Sequence, residues 1–136
     1  MFQGKRNLDH QVTEALRVCL RKCSSSGYRS CSRSCTLCTS LVNDPFGDPG
    51  MLVQFLFQKR ALLFDLGDIS PLSNAELLKV SHVFVSHTHI DHFIGFDRLL
   101  RTCFGRDKTL TLYGPKHFIK NVEGKLAGFT WNLVDR

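Results

Sequence analysis

Short apolar runs separated by polar turn formers make up most of the chain after residue 40. Four of these runs are rich in leucine, β-branched or aromatic side chains and predict strands, at residues 51–57, 61–66, 82–86 and 109–113. Lys59 and Arg60 form a polar break between the first two runs. The break predicts that these two strands form a hairpin.

Three other stretches have the spacing of helices. Within residues 91–104, Phe93, Phe96, Leu100 and Cys103 recur every three or four positions, which predicts an amphipathic helix that stops at Gly105. Residues 72–79 predict one or two helical turns. Residues 118–126 predict a further helix.

The first forty residues differ from the rest of the chain in composition. They hold 7 Lys and Arg against 2 Asp and Glu, five of the six cysteines, and two of the 14 aromatic residues. Residues 8–22 have the spacing of a short amphipathic helix, whereas residues 23–40 have no period. We therefore expect residues 1–40 to be a basic, Cys- and Ser-rich, flexible extension and residues 41–136 to be the folded domain.

Two features of the extension leave alternatives open. Cys35 and Cys38 have the spacing of a zinc knuckle, but a matching second pair is missing, so a flexible thiol-bearing tail is the better interpretation. The abrupt change in composition suggests that residues 1–35 are an appended extension or an upstream reading of the gene.

Charge and hydropathy exclude some classes of function. The formal net charge is +6, but residues 41–136 hold 11 basic against 10 acidic residues, so the predicted domain is almost neutral. No apolar stretch approaches the roughly 20 residues that cross a bilayer. The amino terminus also lacks the pattern of a secretory signal, so we expect a cytoplasmic protein with reduced thiols and no membrane partner.

The strongest chemical signal is the segment His87-Thr-His-Ile-Asp-His92, which holds half of the six histidines. It directly follows the predicted strand 82–86, so His87 and His89 project the same way while the backbone is extended. Asp91 and His92 lie at the turn into the next helix. Imidazole and carboxylate suit zinc and similar divalent ions, and the segment therefore predicts a metal site with hydrolytic chemistry.

The motif and its flanks resemble a known family. Ser86-His-Thr-His-Ile-Asp-His-Phe-Ile-Gly95, preceded by Leu62-Leu-Phe-Asp-Leu-Gly67 and followed by Leu110-Thr-Leu-Tyr-Gly-Pro115, is similar to the metallo-β-lactamase superfamily. Within it, the chain most resembles the ribonuclease Z-like branch, whose members process the 3′ ends of tRNA precursors. The resemblance covers about residues 41–134 and implies an α/β fold, namely the amino-terminal half of the αββα sandwich, a mixed sheet with flanking helices.

The resemblance also implies roles for individual residues. His87 and His89 would ligate a first zinc ion, and Asp91 and His92 a second, with other divalent metals possible at both positions. Asp91 would also take a proton from the attacking water. Asp65 would order the metal loop without binding an ion; its alternative is a carboxylate that caps the turn beside Gly67.

Full members of the family are about twice as long and supply another histidine, a bridging aspartate and a last histidine downstream. We therefore expect this chain to be a fragment with two protein ligands for each ion and weak metal affinity. His117 fits no ligand pattern and is expected to be a surface residue. A strand face without its partner sheet should also cause the chain to self-associate or to be insoluble.

The sequence is also compatible with other functions. The same motif serves hydrolases of thioesters, lactones and β-lactams, and a non-catalytic metal-binding module is a further alternative. Four cations along or after the predicted helix could contact an RNA backbone, although such charges more often serve to solvate a helix: Arg98, Arg101, Arg106 and Lys108. The expectation of an RNA partner, a tRNA precursor, therefore depends on the resemblance.

Overall fold

The computed structural model describes residues 29–30 and 36–131. The strands in this part of the chain are β1 (Arg29–Ser30), β2 (Leu37–Leu41), β3 (Met51–Phe55), β4 (Arg60–Phe64), β5 (Val80–Phe84) and β6 (Thr111–Tyr113). The helices are α1 (Asn74–Leu77), α2 (Ile90–Phe93), α3 (Phe96–Cys103) and α4 (Phe118–Ala127).

All the described strands belong to a single mixed sheet, in the order β1-β2-β3-β4-β5-β6. The pairs from β1 to β4 are antiparallel, whereas β4, β5 and β6 run parallel. Each parallel connection contains at least one helix, as is usual for the crossover between parallel strands. The expected α/β class, a mixed sheet with flanking helices, is confirmed, and the carboxyl ends of β4, β5 and β6 meet at one edge.

The two faces of the sheet carry different apolar clusters because side chains alternate along each strand. On one face, strand residues such as Leu63 and Val83 pack with Phe93, Phe96 and Phe118 from the helices in the main core. The second cluster, which we call the strand-only face, contains only strand residues among those that the structure describes: Leu37, Met51, Val53, Phe55, Leu62, Phe64 and Phe84.

An aromatic stack crosses the strand-only face at the parallel strands. The Phe64 and Phe84 ring centroids lie 4.9 Å apart, and those of Phe84 and Tyr113 lie 4.7 Å apart. These residues are direct cross-strand partners. Neighbouring aromatic side chains stabilise strand pairing, and here they fix the register of the strands that lead to the histidine motif.

The hairpin, the strand before the motif and the last helix agree with the sequence analysis, with some shifts in their ends. The hairpin turn is formed by residues 56–59, and Arg60 is already the first residue of β4, so the predicted polar break was placed too late. Two apolar residues, Leu56 and Phe57, therefore lie in the turn, where the Phe57 side chain is 84% exposed.

The prediction that residues 23–40 lack regular structure is wrong for part of that segment. Residues 29–30 form β1, and β2 begins at Leu37, so the predicted domain boundary at residue 40 falls inside a strand. The Ser, Thr and Cys residues of β2 give no strand pattern; its pairing with β3 over five residue positions decides the structure. The predicted helix at residues 8–22 lies outside the described residues.

The single helix predicted over residues 91–104 is also wrong, because the structure divides it into α2 and α3 at Ile94 and Gly95. Gly95 packs so closely on the segment after β4 that a Cβ atom there would overlap the carbonyl oxygen of Gly67. Its N–H group donates a 2.8 Å hydrogen bond to the Leu66 carbonyl. A tertiary contact, rather than helix propensity, therefore sets this break. Within the described residues, no helix is long and apolar enough to cross a membrane.

Replacing Gly95 by alanine should lower the free energy of unfolding by about 1–3 kcal/mol, because the added methyl group overpacks the contact with Gly67. The matched control is Gly124→Ala in α4, where a Cβ atom has no neighbour within 4 Å. That change should raise the free energy of unfolding by roughly 0.5–1 kcal/mol, since alanine favours a helix interior. Urea denaturation measures both values, and equal effects would contradict the proposed contact.

Candidate active site

The predicted site lies at the carboxyl edge of the parallel strands. Asp65 directly follows β4, and Ser86 lies two residues after β5. The Asp65 N–H group donates a 2.8 Å hydrogen bond to the carbonyl of Phe84, so the parallel ladder continues past the ends of both strands. Since β4 and β5 are neighbours, Asp65 and the start of the histidine motif are held side by side although 21 residues separate Asp65 from Ser86.

Asp65 binds the start of the motif through its carboxylate. One carboxylate oxygen accepts the Ser86 N–H group at 2.7 Å, and the Ser86 Oγ lies 2.9 and 3.0 Å from the two oxygens. Asp65 has a left-handed backbone, with φ at 55°, a conformation that aspartate tolerates better than most residues. These contacts are long-range, whereas the turn cap considered as an alternative would be local.

The Ser86 hydroxyl also contacts two imidazoles. Its oxygen lies 3.0 Å from Nδ1 of His87 and 3.2 Å from Nδ1 of His92. Nδ1 of His92 lies a further 3.2 Å from Oδ2 of Asp65. A carboxylate only accepts hydrogen bonds, and a hydroxyl that donates to it can accept from a ring N–H. This network favours protons on the two Nδ1 atoms.

The structure brings the four predicted ligands together. The His87 ring centroid lies 4.5 Å from that of His89 and 3.9 Å from that of His92. Nε2 of His92 lies 3.4 Å from Oδ2 of Asp91. The His92 side chain is only 16% exposed, whereas that of Asp91 is 49% exposed. The cluster is therefore anchored at His92 and open to solvent at Asp91.

Main-chain hydrogen bonds hold the loop that carries the motif. The Leu66 N–H group donates to the His92 carbonyl at 2.8 Å, and the Leu66 carbonyl accepts from Gly95. From the other side, the Asn121 side chain in α4 donates to the Thr88 hydroxyl at 2.9 Å. The segment after β4 and helix α4 thus fix both sides of the histidine loop.

The donors suit a divalent ion in their chemistry, since imidazole and carboxylate are ligands that zinc prefers. The arrangement of these donors does not form a complete ligand set. Among the described residues, no group of three or more His, Cys, Asp or Glu side chains is placed so that it could hold a metal ion. The rings of His87, His89 and His92 lie against one another, so the structure gathers the donors without forming a full ligand set. The metal site stays a prediction.

Three titratable groups outside the predicted ligand set have shifted pKa values with structural causes. The pKa of Asp68 is lowered, because the backbone N–H and the hydroxyl of Ser70 both donate to its carboxylate. Burial lowers the pKa of Lys108 and raises that of Cys103. The Lys108 ammonium donates to the carbonyls of Leu77 and Leu78 at the end of α1, so it serves the fold. His117 is exposed at the start of α4, as expected.

Ser86, Leu66 and Asn121 contribute to the site although no sequence pattern predicts it. Ser86 was part of the quoted motif, but serine is too common after a strand to indicate a role by itself. Leu66 acts through its backbone, for which side-chain patterns carry no signal. Asn121 acts across 33 residues from α4, so its contact with Thr88 depends on the tertiary structure.

Comparison with known proteins identifies related sequences. No family model matches the chain. The chain is 34% identical over 80 residues to ribonuclease Z of Thermococcus onnurineus, which covers 54% of this chain and 26% of that protein. It is 39% identical over 61 residues to ribonuclease Z of Methanosarcina mazei, which covers 40% of this chain and 20% of that protein. The matched region is ribonuclease Z-like.

The chain spans about a quarter of the length of the curated relatives that it matches. Two solved structures are also similar over 65% of the chain. A metallo-β-lactamase fold protein of Bacillus subtilis matches with a TM-score of 0.48 and 20% identity over 40% of its own chain. The short form of human tRNase Z matches with a TM-score of 0.46 and 18% identity over 35% of its own chain.

Substitutions at Asp65 should separate the role of its carboxylate from that of its backbone. Asp65→Gly removes the hydrogen bonds to Ser86, but glycine suits the left-handed conformation. Asp65→Ala removes the same hydrogen bonds and also places a residue with a Cβ atom in that conformation. We expect the free energy of unfolding of the Asp65→Ala variant to be about 1 kcal/mol lower than that of the Asp65→Gly variant. Asp65→Asn, which keeps one acceptor and tolerates the backbone, should be the most stable of the three. Urea denaturation gives the order, and equal stability of the Gly and Ala variants would contradict the strained backbone.

Proposed function

We propose that this chain carries the metal-binding motif and part of the fold of a metal-dependent phosphodiesterase of the ribonuclease Z type, which acts on the 3′ ends of tRNA precursors. The observation that carries the proposal is the convergence of Asp65, Ser86 and the histidine motif at the edge of β4 and β5. The sequence similarity to ribonuclease Z supports the choice of substrate class. The relatives are much longer than this chain, so the activity is proposed for the whole protein that contains this chain.

In this proposal His87 and His89 hold one divalent ion, zinc or a metal of similar preference, and Asp91 and His92 hold a second. When bound, such ions supply charge stabilisation for the phosphodiester and a water molecule that ionises near neutral pH. Ser86 lies against Nδ1 of His87 and of His92, and Asp65 lies against Nδ1 of His92, so the two rings would be held by these contacts when they ligate an ion. Outer contacts of this kind commonly fix the tautomer of a ligating histidine.

Asp91 has a different position from the other members of the cluster. Its carboxylate is half exposed and lies against Nε2 of His92, so both water and substrate can reach it. A carboxylate in this position can accept a proton from the attacking water, and general-base catalysis of this type contributes roughly 10²–10⁴-fold to rate. We assign this role to Asp91.

The substitutions His87→Ala and Asp91→Ala should each lower the zinc affinity of the chain by about tenfold or more, because each removes a proposed ligand. They should lower phosphodiester hydrolysis by roughly 10²-fold or more. Zinc affinity is measured by calorimetry on the 136-residue chain. Hydrolysis of bis(p-nitrophenyl) phosphate and of a tRNA precursor is measured on the longest form of the protein that its source expresses.

The matched control is His117→Asn, which removes an exposed imidazole outside the motif, suits the left-handed backbone of residue 117 and should change neither quantity. Retained hydrolysis in the His87 or Asp91 variant would reject the assigned roles. Faster turnover of a thioester or a β-lactam than of the phosphodiester would contradict the proposed substrate class. It would not contradict the proposed metal site.

We further propose that the chain self-associates through the strand-only face. Its side chains include Met51, Phe55 and Phe64, which are only partly buried, and burying one phenylalanine is worth about 1.5–3 kcal/mol. A contact between two copies at this face would remove several such side chains from water.

Sedimentation should therefore show a mass that rises with concentration. Phe55→Gln should raise the dissociation constant about tenfold or more, since it removes apolar surface from the strand-only face. Phe57→Gln removes the same side chain from the hairpin turn, where it is 84% exposed, and should leave the constant unchanged. A monodisperse monomer that melts cooperatively would contradict this proposal.

A further inference from the structure

The outer surface of α3 lines an open cleft of ≈ 600 Å³. Phe96, Leu99 and Cys103 of α3 are buried, and Leu100 packs against the same core, so the polar residues of α3 lie on its outer side. The lining includes Asp97, Arg98, Arg101, Thr102, Phe104 and Arg106. We call this concave surface the arginine cleft.

The positive charge of the arginine cleft is largely uncompensated. Its carboxylate, Asp97, is paired with Lys125 at 3.1 Å, so it does not neutralise the arginines. The Arg98 guanidinium donates to the Leu72 carbonyl at 2.9 Å, which holds it at the wall of the cleft. Arg101 and Arg106 are exposed, and within residues 36–131 neither has an ion-pair partner.

An aromatic group adjoins these charges. The Phe104 side chain, which lines the cleft, is 44% exposed. Its ring centroid lies 5.7 Å from that of Trp131, and the Trp131 indole is fixed by a 2.9 Å hydrogen bond to the Leu126 carbonyl. Trp131 in turn contacts the half-exposed ring of Phe129, with centroids 5.8 Å apart. The edge of the cleft therefore carries an ordered aromatic platform.

We propose that the arginine cleft binds a segment of single-stranded RNA, with phosphates on Arg101 and Arg106 and a base stacked on Phe104. Proteins that bind single strands combine a positive groove with aromatic side chains in this way. The choice of RNA rests on the proposed function. Arg101 lies roughly 8 Å along the α3 axis from Phe96, which follows the histidine motif in the sequence.

The geometry distinguishes this proposal from a helix face that charges merely solvate. Charges that solvate a helix face commonly alternate in sign along it. Here the exposed guanidiniums share a concavity, the acidic residue is neutralised by a lysine from α4, and a large apolar ring is left half exposed among them. Lys108, the fourth cation of this region, is bound to α1 and takes no part.

The test measures binding of the 136-residue chain to a fluorescein-labelled uridine oligomer of about ten nucleotides, in EDTA, so that no hydrolysis interferes. The variant Arg101→Gln with Arg106→Gln should weaken binding about tenfold at low salt. It should also lower the slope of log affinity against log salt by about 1.4, since each phosphate contact on a single strand contributes roughly 0.7. Phe104→Ala should weaken binding about fivefold or more with little change in the slope.

The matched control removes two exposed lysines of equal charge elsewhere, Lys116→Gln with Lys120→Gln, and should leave affinity and slope nearly unchanged. Arg101→Lys, which retains the charge, should have a slope of log affinity against log salt close to that of the wild-type chain. Urea denaturation of each variant checks that the fold is retained. Absence of RNA binding in the wild-type chain, or equal effects of the arginine and lysine pairs, would overturn the proposal.

Two further outcomes separate this inference from the other proposals. If binding depends on the arginine pair, is insensitive to Phe104→Ala and is competed equally well by polyaspartate, the cleft is a general anion surface and the RNA assignment is wrong. If the His87→Ala variant retains hydrolysis while the arginine pair still determines RNA affinity in EDTA, the proposed function is wrong. RNA binding by the arginine cleft is then supported independently of it.

Discussion

The contact between Asp65 and Ser86 is the constraint on which the rest of the site depends. It joins the ends of two parallel strands, and the same serine hydroxyl contacts the imidazoles of His87 and His92. Charge-assisted hydrogen bonds of this kind are among the strongest in proteins and impose a defined geometry. The left-handed backbone of Asp65 is acceptable in this setting because it aims the carboxylate across the sheet rather than into its own turn.

The same edge of the sheet explains why two glycines are needed beside the site. A Cβ atom at Gly67 would lie 2.6 Å from the Asp91 carbonyl oxygen, and one at Gly95 would overlap Gly67 itself. The segment after β4 and the loop of the motif thus approach through their backbones. Their hydrogen bonds, from Leu66 to His92 and from Gly95 to Leu66, are possible only at this close distance. Close packing at these two glycines positions the residues of the histidine cluster more than it adds to the stability of the fold.

The sequence predicts those elements whose signals are local. The hairpin, the strand before the motif, α4 and the grouping of His87, His89 and His92 all follow from periodicity and from the dense histidine spacing. The break at Gly95 could not be predicted, since it depends on the carbonyl of Gly67, which is distant in sequence. The strand β2 was missed for a similar reason, because its pairing with β3 outweighs its own weak pattern. Ser86 and Asn121 act through tertiary contacts that no single-sequence pattern encodes.

The short outer strands have a consequence for how copies of this chain can meet. In the part of the chain that the structure describes, the sheet ends in a strand of two residues on one side and of three on the other. Such edges offer few unpaired backbone groups, and natural proteins use short edge strands to prevent a foreign strand from adding to a sheet. The described edges of this sheet therefore disfavour the addition of a foreign strand, which makes the strand-only face the more suitable surface for a contact between two copies.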